Sequence, residues 1–193
     1  IVVERGAKGV SETELTTIDR TRTVLTLDLD NAPVFVVAGN NHAEAQRKMI
    51  DAGRVLLAAD SLGAAAMMLE KAVEYSKDRD QFNRPIASFQ AVKHMCAEMA
   101  AKLEPCRAMV WYAAYAQDNV PEEAALMACL AKSHMQEVGK FVARTATEVH
   151  GGMGFTDLLG LHYWFKRIGA NRQLLGGPEK LRAEAAQLQG WVS

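Results

Sequence analysis

The residues best suited to hold a ligand lie in a glycine-rich stretch, Glu148–Thr156, which reads E-V-H-G-G-M-G-F-T. Because glycine has no Cβ, this backbone can adopt positive φ and can approach a bound group closely. A second segment, Arg79–Ile86, carries a cation, an amide and an aromatic ring, and it also lies between two long helical patterns. We expect the chemistry of the protein to centre on these two segments.

Each of these residues also has a purely structural interpretation. Arg79 could form a surface ion pair with Asp78 or Asp80, and Phe82 could belong to an ordinary core. Gly151–Gly152 could simply end a helix, since glycine is the commonest residue after a last helical turn. A functional interpretation therefore depends on the order of the motifs along the chain rather than on any one residue.

Composition and charge disfavour several classes of protein. The chain has 193 residues, of which 49% are hydrophobic and 23% charged, and its net charge is −1. No basic stripe indicates a nucleic-acid partner, no apolar run predicts a membrane span, and no Cys/His spacing predicts a metal site. Cys96, Cys106 and Cys129 lie in helical patterns and are predicted to be buried, reduced thiols, which indicates a cytoplasmic location.

Residues 1–39 are predicted to form β structure. Short apolar or alternating runs typical of strands occur at Ile1–Val3, Thr23–Leu29 and Pro33–Ala38, and Gly6 and Gly9 indicate a turn. So few strands cannot cover their own faces and edges, so we expect partner strands from elsewhere. A chain that begins directly in a strand is also expected to be the remainder of something longer.

Residues 40–193 have the periodicity of long helices. Asn41 followed by Glu44 is typical of a capping box, and we draw the one domain boundary there, at Gly39–Asn41. Pro105 should kink or locally break the second helix, since proline lacks an N–H. The predicted helices cover about residues 43–77, 89–117, 122–150, 161–175 and 178–191. Long helices joined by short loops predict an antiparallel helix bundle, so the fold class is mainly α, preceded by part of a β domain.

Four motifs in this order resemble the C-terminal half of the acyl-CoA dehydrogenases, over essentially the whole chain. Arg54–Gly63 resembles the R-x-x-x-A-A…G opening of the family's long helix, and Tyr75–Phe82 resembles its Y-x-x-x-R-x-x-F segment. Gln90 matches a glutamine that follows, and Glu148–Phe155 resembles the Q-x-x-G-G-x-G-Y/F turn. The resemblance implies that residues 1–39 are a remnant of the middle β domain and that residues 40–193 are the C-terminal helical bundle domain.

The resemblance also implies FAD as the cofactor. In the family, the arginine–phenylalanine loop and the glycine turn reach across a subunit interface and hold the adenosine and pyrophosphate end of the neighbour's FAD. A planar Arg79 cation, a Phe82 ring beside the adenine and main-chain N–H groups at the glycines suit that role. The cofactor-binding residues implied in this way are Arg79, Gln81, Phe82, Gln90, Glu148, Gly151 and Gly152.

Three positions depart from the family pattern. Asn83 replaces the usual glycine after the phenylalanine, and Ile168 replaces the aspartate of an R-D pair that begins at Arg167. Glu148 replaces the glutamine before the glycine turn, where a carboxylate would be repelled by a diphosphate.

The catalytic glutamate of the family is absent as well. The reaction removes a proton from the α carbon of an acyl thioester. A carboxylate positioned as general base raises the rate of such a step on the order of 10²–10⁴-fold. Counted from the glycine turn, the usual position is Gly176, and the alternative position on the first long helix is Gly53. Neither has a side chain, so we predict no catalytic residue in this chain. Asp51, Glu148 and Glu179 are the carboxylates nearest in sequence that could substitute.

We therefore expect a non-catalytic subunit of a heteromeric acyl-CoA dehydrogenase, resembling the paired enzymes of bacterial steroid side-chain degradation. A homologous subunit in a heterotetramer would supply the glutamate and most of the flavin pocket. An acyl-CoA, with a steroid side-chain CoA ester as one candidate, would be the substrate, and an electron-transfer flavoprotein would be the acceptor. Two alternatives stay open: a self-sufficient homomeric dehydrogenase with a relocated base, and a non-enzymatic scaffold.

Overall fold

The computed structural model describes residues 1–39 and 42–192. Asn41, the expected cap of the first helix, lies outside the described residues, so its capping role stays a prediction. The division of the chain into residues 1–39 and 40–193 also stays a prediction.

Five helices make up most of the described chain, as the periodicity predicts. They are α1 (His42–Asp78), α2 (Gln90–Asn119), α3 (Pro121–His150), α4 (Leu161–Gln173) and α5 (Pro178–Leu188). Helix α1 packs against α2, α3 and α4, and α3 also packs against α2 and α5. Because short connections join consecutive long helices, the arrangement is the predicted antiparallel bundle.

Two details of the helices differ from the prediction. Helix α2 continues through Pro105, so the expected local break is wrong; packing of neighbours such as the buried Leu103 offsets the hydrogen bond that proline cannot make. Helix α4 ends at Gln173 rather than near Leu175. It stops because Leu174 is extended, with φ −63° and ψ 137°, and Leu175 has a positive φ of 54°.

The hydrophobic core lies where α1, α2 and α3 meet, with α4 covering one side. Ala65 and Ala72 of α1 are fully buried and allow close approach of the helices, while Met68 and Met99 fill the space between them. Ile168 of α4, a departure from the family pattern, belongs to this core. The fold is therefore a bundle in which α1 is the central helix.

The three cysteines are free thiols. Cys106 and Cys129 are buried as predicted, whereas Cys96 is only half-buried. Burial raises the pKa of Cys96 and Cys106, and it raises the pKa of Cys129 to about 12. All three side chains are therefore protonated near neutral pH and act as small apolar groups.

Helix α1 is long and apolar enough, by length and composition alone, to cross a membrane. No membrane span was predicted here from the sequence. The core helix of a soluble protein passes the same test, and α1 packs against three other helices. Its first half also buries the charged residues Asp51 and Arg54 against protein partners.

The β part consists of two-stranded antiparallel ribbons. Its strands are β1 (Val2–Val3), β2 (Val10–Leu15), β3 (Val24–Leu29) and β4 (Val34–Phe35), with β1 paired to β4 and β2 to β3. Strand β2 was not predicted because its sequence, V-S-E-T-E-L, is mostly polar, and β4 is shorter than expected. Leu25, Leu27 and Leu29 of β3 are exposed, in keeping with the expectation that this sheet needs partner strands.

A polar cluster joins the β part to the bundle. Arg22, in the loop between β2 and β3, donates hydrogen bonds to Asn171 Oδ1 at 2.7 Å and to Asp60 Oδ2 at 3.1 Å. Asn171 in turn donates to Asp60 Oδ2 at 2.6 Å. Arg167 lies 3.5 Å from Asp19 Oδ2 and 3.7 Å from Asp60 Oδ2. The ribbon is thus held against α1 and α4 by charge and hydrogen bonding.

Candidate functional site

The connection between α1 and α2 is a tight β-hairpin. Its strands are β5 (Asp80–Gln81) and β6 (Arg84–Pro85), and a short 3₁₀ turn at Ile86–Ser88 leads into α2. The two turn residues, Phe82 and Asn83, have positive φ values of 54° and 57°. Asparagine tolerates this conformation, but a phenylalanine there is strained. Backbone strain of this kind is common at functional sites, which makes Phe82 a candidate contact residue.

The Phe82 side chain is 87% exposed, so its interpretation as an ordinary core residue is wrong. Its ring makes an edge contact with Phe89, at a centroid distance of 6.1 Å. Arg84, which was not singled out from the sequence, lies over the Phe89 ring, with its Cζ 4.0 Å from the ring centroid. The hairpin therefore presents an aromatic face flanked by a cation.

Arg79 is held by its backbone and leaves its guanidinium available. Its N–H donates to Tyr75 O at 2.9 Å, and its carbonyl accepts from Ile86 N at 2.8 Å. No described carboxylate lies within 4.0 Å of the side chain, so the expected alternative of an ion pair with Asp78 or Asp80 is wrong. Arg79 is thus an exposed cation without an internal counter-charge.

The glycine turn follows α3 directly. Gly151, with φ 57°, ends the helix, and Gly151–Phe155 forms a short 3₁₀ turn. A Cβ on Gly154 would lie 2.9 Å from Thr147 O, so only glycine fits there. By contrast, no atom lies within 4 Å of a Cβ added at Gly152. Gly151 does act as a helix C-cap, and its N–H donates to Glu148 O, whereas the exposed backbone at Gly152 is open to a ligand.

A ring stack brings the hairpin and the glycine turn to the same end of the bundle. Tyr75, four residues before Arg79, stacks on His150, which directly precedes Gly151; the ring centroids are 4.6 Å apart. The structure therefore places the two segments at the same end of the bundle.

The other expected contact residues lie near these segments but are less constrained. Gln81 donates a hydrogen bond from Nε2 to Asp80 O at 2.9 Å. Gln90 is the exposed first residue of α2, and Glu148 is exposed in the last turn of α3. Neither Gln90 nor Glu148 makes a side-chain hydrogen bond or ion pair with the described part of the chain.

The two expected positions of the catalytic base come together at a second place, the turn between α4 and α5. Gly176 lies in this turn with φ 109°, a conformation that side-chain-bearing residues rarely adopt. The neighbouring Leu175 covers Gly53 of α1: its Cδ1 lies 2.6 Å from where a Cβ on Gly53 would be. The structure thus places an alkyl side chain where a base on Gly53 would have to begin.

Buried donors on α1 and α3 hold this turn by its carbonyl groups. Arg54 Nε donates to Leu175 O at 3.2 Å, and Lys132 Nζ donates to Gly176 O at 2.7 Å. Gln136 Nε2 also reaches Gly176 O, at 3.3 Å. Sequence reasoning missed Lys132 and Gln136, although a lysine in phase with the buried residues of α3 is itself an unusual signal.

Lys132 is unusual because it is only 1% exposed and no described carboxylate lies within 4.0 Å of it. Burial, with smaller contributions from the positive charges of Arg54 and Arg172, lowers the pKa of Lys132 from 10.5 to about 8. Burying an ammonium group without a carboxylate beside it costs free energy, so the burial of Lys132 at this turn lowers the stability of the fold.

Two of the three carboxylates considered as substitute bases, Asp51 and Glu179, are engaged in ion pairs. Asp51 is buried and pairs with Arg54 at 3.1 Å, and burial raises its pKa. Glu179 is exposed and lies 3.6 Å from Arg172 and 3.7 Å from Arg182.

Glu184, which the sequence analysis did not consider, also approaches this region. It binds the Arg54 guanidinium through both oxygens at 2.8 Å. That hydrogen bonding lowers the pKa of Glu184, which makes it a weak base. Across the described residues, no group of three or more His, Cys, Asp and Glu side chains could hold a metal ion.

Comparison with known proteins identifies the fold and the family. The family model for the acyl-CoA dehydrogenase C-terminal domain matches residues 43–187. Acyl-CoA dehydrogenase IpdE2 of Mycolicibacterium smegmatis is 38% identical over 141 residues, which cover 72% of this chain and 43% of that protein.

Two solved structures are similar along almost the whole chain. The ChsE4-ChsE5 complex from Mycobacterium tuberculosis has a TM-score of 0.87 and 28% identity, covering 99% of this chain and 52% of that one. A Tcur3481-Tcur3483 steroid ACAD variant has a TM-score of 0.87 and 29% identity, covering 98% and 51%. The chain spans about half the length of these relatives. The chain belongs to the acyl-CoA dehydrogenase family, and its bundle is that family's C-terminal domain.

Proposed function

We propose that this chain is a subunit of a heteromeric acyl-CoA dehydrogenase that completes a partner's FAD site and supplies no catalytic base. One observation carries the proposal: both family positions of the base are glycines, and they converge on one turn where Leu175 covers Gly53. By contrast, the hairpin between α1 and α2 exposes the groups that suit a cofactor. The chain has kept one part of the family's site and lost the other.

The hairpin end fits the adenosine and diphosphate end of FAD, the cofactor of this family. Arg79 offers a planar guanidinium without an internal counter-charge, and Phe82 offers an exposed ring in a strained turn. Gly152 leaves open space in which main-chain N–H groups can meet phosphate oxygens. Gln81, Gln90, Glu148 and Gly151 complete the proposed contact set around these residues.

When bound, FAD accepts the hydride that leaves the β carbon of an acyl-CoA. The proton from the α carbon has to be taken by a carboxylate. In this chain Asp51 is committed to Arg54 and Glu179 to two arginines, and Glu148 lies in the last turn of α3 beside the glycine turn rather than at the turn that holds Gly176. We therefore assign proton removal to a glutamate of the partner, while residues of this chain bind and orient the cofactor.

A homologous subunit is the proposed partner, in a heterotetramer. The ChsE4-ChsE5 relative is described as a complex of two differently named subunits, which supports an unlike pair. A steroid ACAD among the similar structures supports a steroid side-chain CoA ester as the substrate class. Electron-transfer flavoprotein is the proposed acceptor, and the cytoplasm is the proposed location.

Flavin stoichiometry tests the proposal. The full polypeptide that carries this chain is co-expressed with a homologous acyl-CoA dehydrogenase that has the glutamate, and the mass and flavin absorbance of the complex are measured. We expect one FAD per pair of unlike chains. Replacing Arg79→Gln should weaken FAD binding about tenfold or more, because a charge-assisted hydrogen bond to phosphate is lost. Arg107→Gln is the matched control, since half-buried Arg107 lies on α2 and pairs there with Glu104 at 3.0 Å.

Two outcomes contradict the proposal. One FAD per chain in a homomer, with full dehydrogenase activity, would identify a self-sufficient enzyme with a relocated base. In that case Asp51→Asn and Glu179→Gln would locate the base. No flavin in any assembly would leave a non-enzymatic scaffold.

A further inference from the structure

The ends of α1 and α3 are joined by one ring stack. Tyr75 is half-buried and His150 is buried, and their ring planes are inclined by only 25° at a centroid distance of 4.6 Å. Tyr75 lies one helical turn before Arg79, and His150 directly precedes Gly151. The stack therefore lies immediately behind both segments that are proposed to contact the cofactor.

Each ring is tied to its own segment through the backbone. The carbonyl of Tyr75 accepts a hydrogen bond from Arg79 N at 2.9 Å, which fixes the start of the hairpin relative to the tyrosine. His150 Nδ1 bonds Ala146 O at 2.7 Å, which fixes the imidazole relative to the last turn of α3. A shift of the helix end that carries either ring would therefore move the segment that follows it.

The imidazole suits a stack with a neutral aromatic ring. A carbonyl oxygen can only accept, so Nδ1 must carry the hydrogen that bonds Ala146 O. Burial lowers the pKa of His150, the hydrogen bond to Ala146 partly opposes this, and the charge of Lys71 adds to the lowering. The ring is therefore neutral near pH 7, and stacked aromatic pairs of this kind add stability beyond their buried area.

We infer that Tyr75 and His150 are a positioning pair, whose stack sets the separation between the Arg79 hairpin and the Gly151 turn. This inference rests on the proposed function, because a cofactor held by two segments binds tightly only if both are preorganised. Neither ring has to touch the cofactor. The pair acts by keeping the guanidinium of Arg79 and the main-chain N–H groups of the glycine turn at one fixed spacing.

FAD titration of the complete complex tests this role. Tyr75→Leu should weaken FAD binding about 3- to 10-fold, the size expected for one lost ring stack. Tyr75→Phe retains the ring and should bind FAD as the wild type does. Tyr115→Leu is the matched control: Tyr115 also belongs to a tyrosine-containing ring pair, but it lies near the C-terminal end of α2, far from the hairpin.

A second readout follows the spacing itself. Spin labels at the exposed residues Asn83 and Leu158 report the distance between the hairpin and the segment after the glycine turn. The distance distribution should broaden in Tyr75→Leu without FAD and should stay narrow in Tyr75→Phe and Tyr115→Leu. This measurement separates a positioning role from a general loss of stability, because it does not depend on activity.

The outcomes separate the two hypotheses. If wild type binds FAD and Tyr75→Leu binds it equally well, the positioning pair is overturned while the proposed function stands. If Tyr75→Leu binds FAD weakly but the label distribution stays narrow, the inference is also overturned. If no wild-type assembly binds FAD, the proposed function itself fails.

Discussion

Leu175 Cδ1 lies 2.6 Å from the position that a Cβ on Gly53 would occupy. The two residues belong to different elements, since Gly53 is in α1 and Leu175 is in the turn after α4. Their contact means that the loss of a base at Gly53 is accompanied by a filled space, and Gly176, the other base position, is the next residue after Leu175. The two positions at which the family resemblance places a base, Gly53 and Gly176, therefore meet in one small region that Leu175 fills.

Gly53 and Leu175 should be energetically coupled. Gly53→Ala alone should change the free energy of unfolding by less than about 0.5 kcal/mol, because the gain in helix propensity is offset by displacement of Leu175. In a Leu175→Ala background the same change should stabilise by about 1 kcal/mol. Denaturant unfolding of the four proteins gives the coupling energy. Strictly additive effects would show that Leu175 does not occupy this space.

Gly176 should tolerate no side chain in its present conformation. Gly176→Ala should lower the free energy of unfolding by about 1–3 kcal/mol, because φ is 109° and a Cβ would lie 3.3 Å from Leu181 Cδ2. Gly177→Ala is the control. Gly177 has φ −73°, so its change should stay within about 0.5 kcal/mol. Equal effects at the two positions would show that backbone strain is not what keeps Gly176 free of a side chain.

Phe82 should be more important for FAD binding than for folding. Phe82→Gly removes the strain of a positive φ and an exposed ring, so the free energy of unfolding should change by less than about 1 kcal/mol. FAD binding by the complex should weaken about tenfold, the size expected for the loss of one aromatic stack on adenine. Asn83→Gly should alter neither quantity appreciably. Undiminished FAD affinity in Phe82→Gly would remove Phe82 from the proposed site.

Lys132 should make stability depend on pH in the alkaline range. Burial lowers its pKa from 10.5 to about 8, so between these values the unfolded chain holds a proton that the folded chain has released. Unfolding then takes up a proton at this group, so Lys132 by itself adds about 3 kcal/mol to the free energy of unfolding as the pH rises across that range. Lys132→Met should lack this increase. The free energy of unfolding, measured from pH 7 to 10.5 on wild type and Lys132→Met, checks this prediction. Parallel pH curves for the two proteins would contradict a buried ammonium at Lys132.

Much of the bundle could be predicted because its signals are local. The apolar period of α1 and α3 and the proline at the start of α3 predicted helices that the structure contains within a few residues. Strand β2 could not be predicted, because V-S-E-T-E-L has little apolar character. It is a strand because it pairs with β3, and that pairing leaves no pattern in the β2 sequence.

The site divides in the same way. Arg79, Phe82 and the glycines are adjacent in sequence to the helices that present them, so motif order alone was enough to single out these segments. The support of the turn at Gly176 could not be predicted, because Lys132 lies 44 residues earlier in the chain and its role is visible only once α3 packs beneath the turn. Contacts of that kind depend on tertiary packing and carry no local pattern.

The most direct test of the central claim is flavin reduction in the unlike pair. The complex is loaded with FAD, mixed with an acyl-CoA substrate without oxygen, and followed by the loss of flavin absorbance. Replacing the partner's glutamate by glutamine should abolish reduction, whereas Asp51→Asn and Glu179→Gln in this chain should leave it unchanged. Reduction that persists without the partner's glutamate, and disappears when a carboxylate of this chain is replaced, would contradict the claim that this subunit supplies no base.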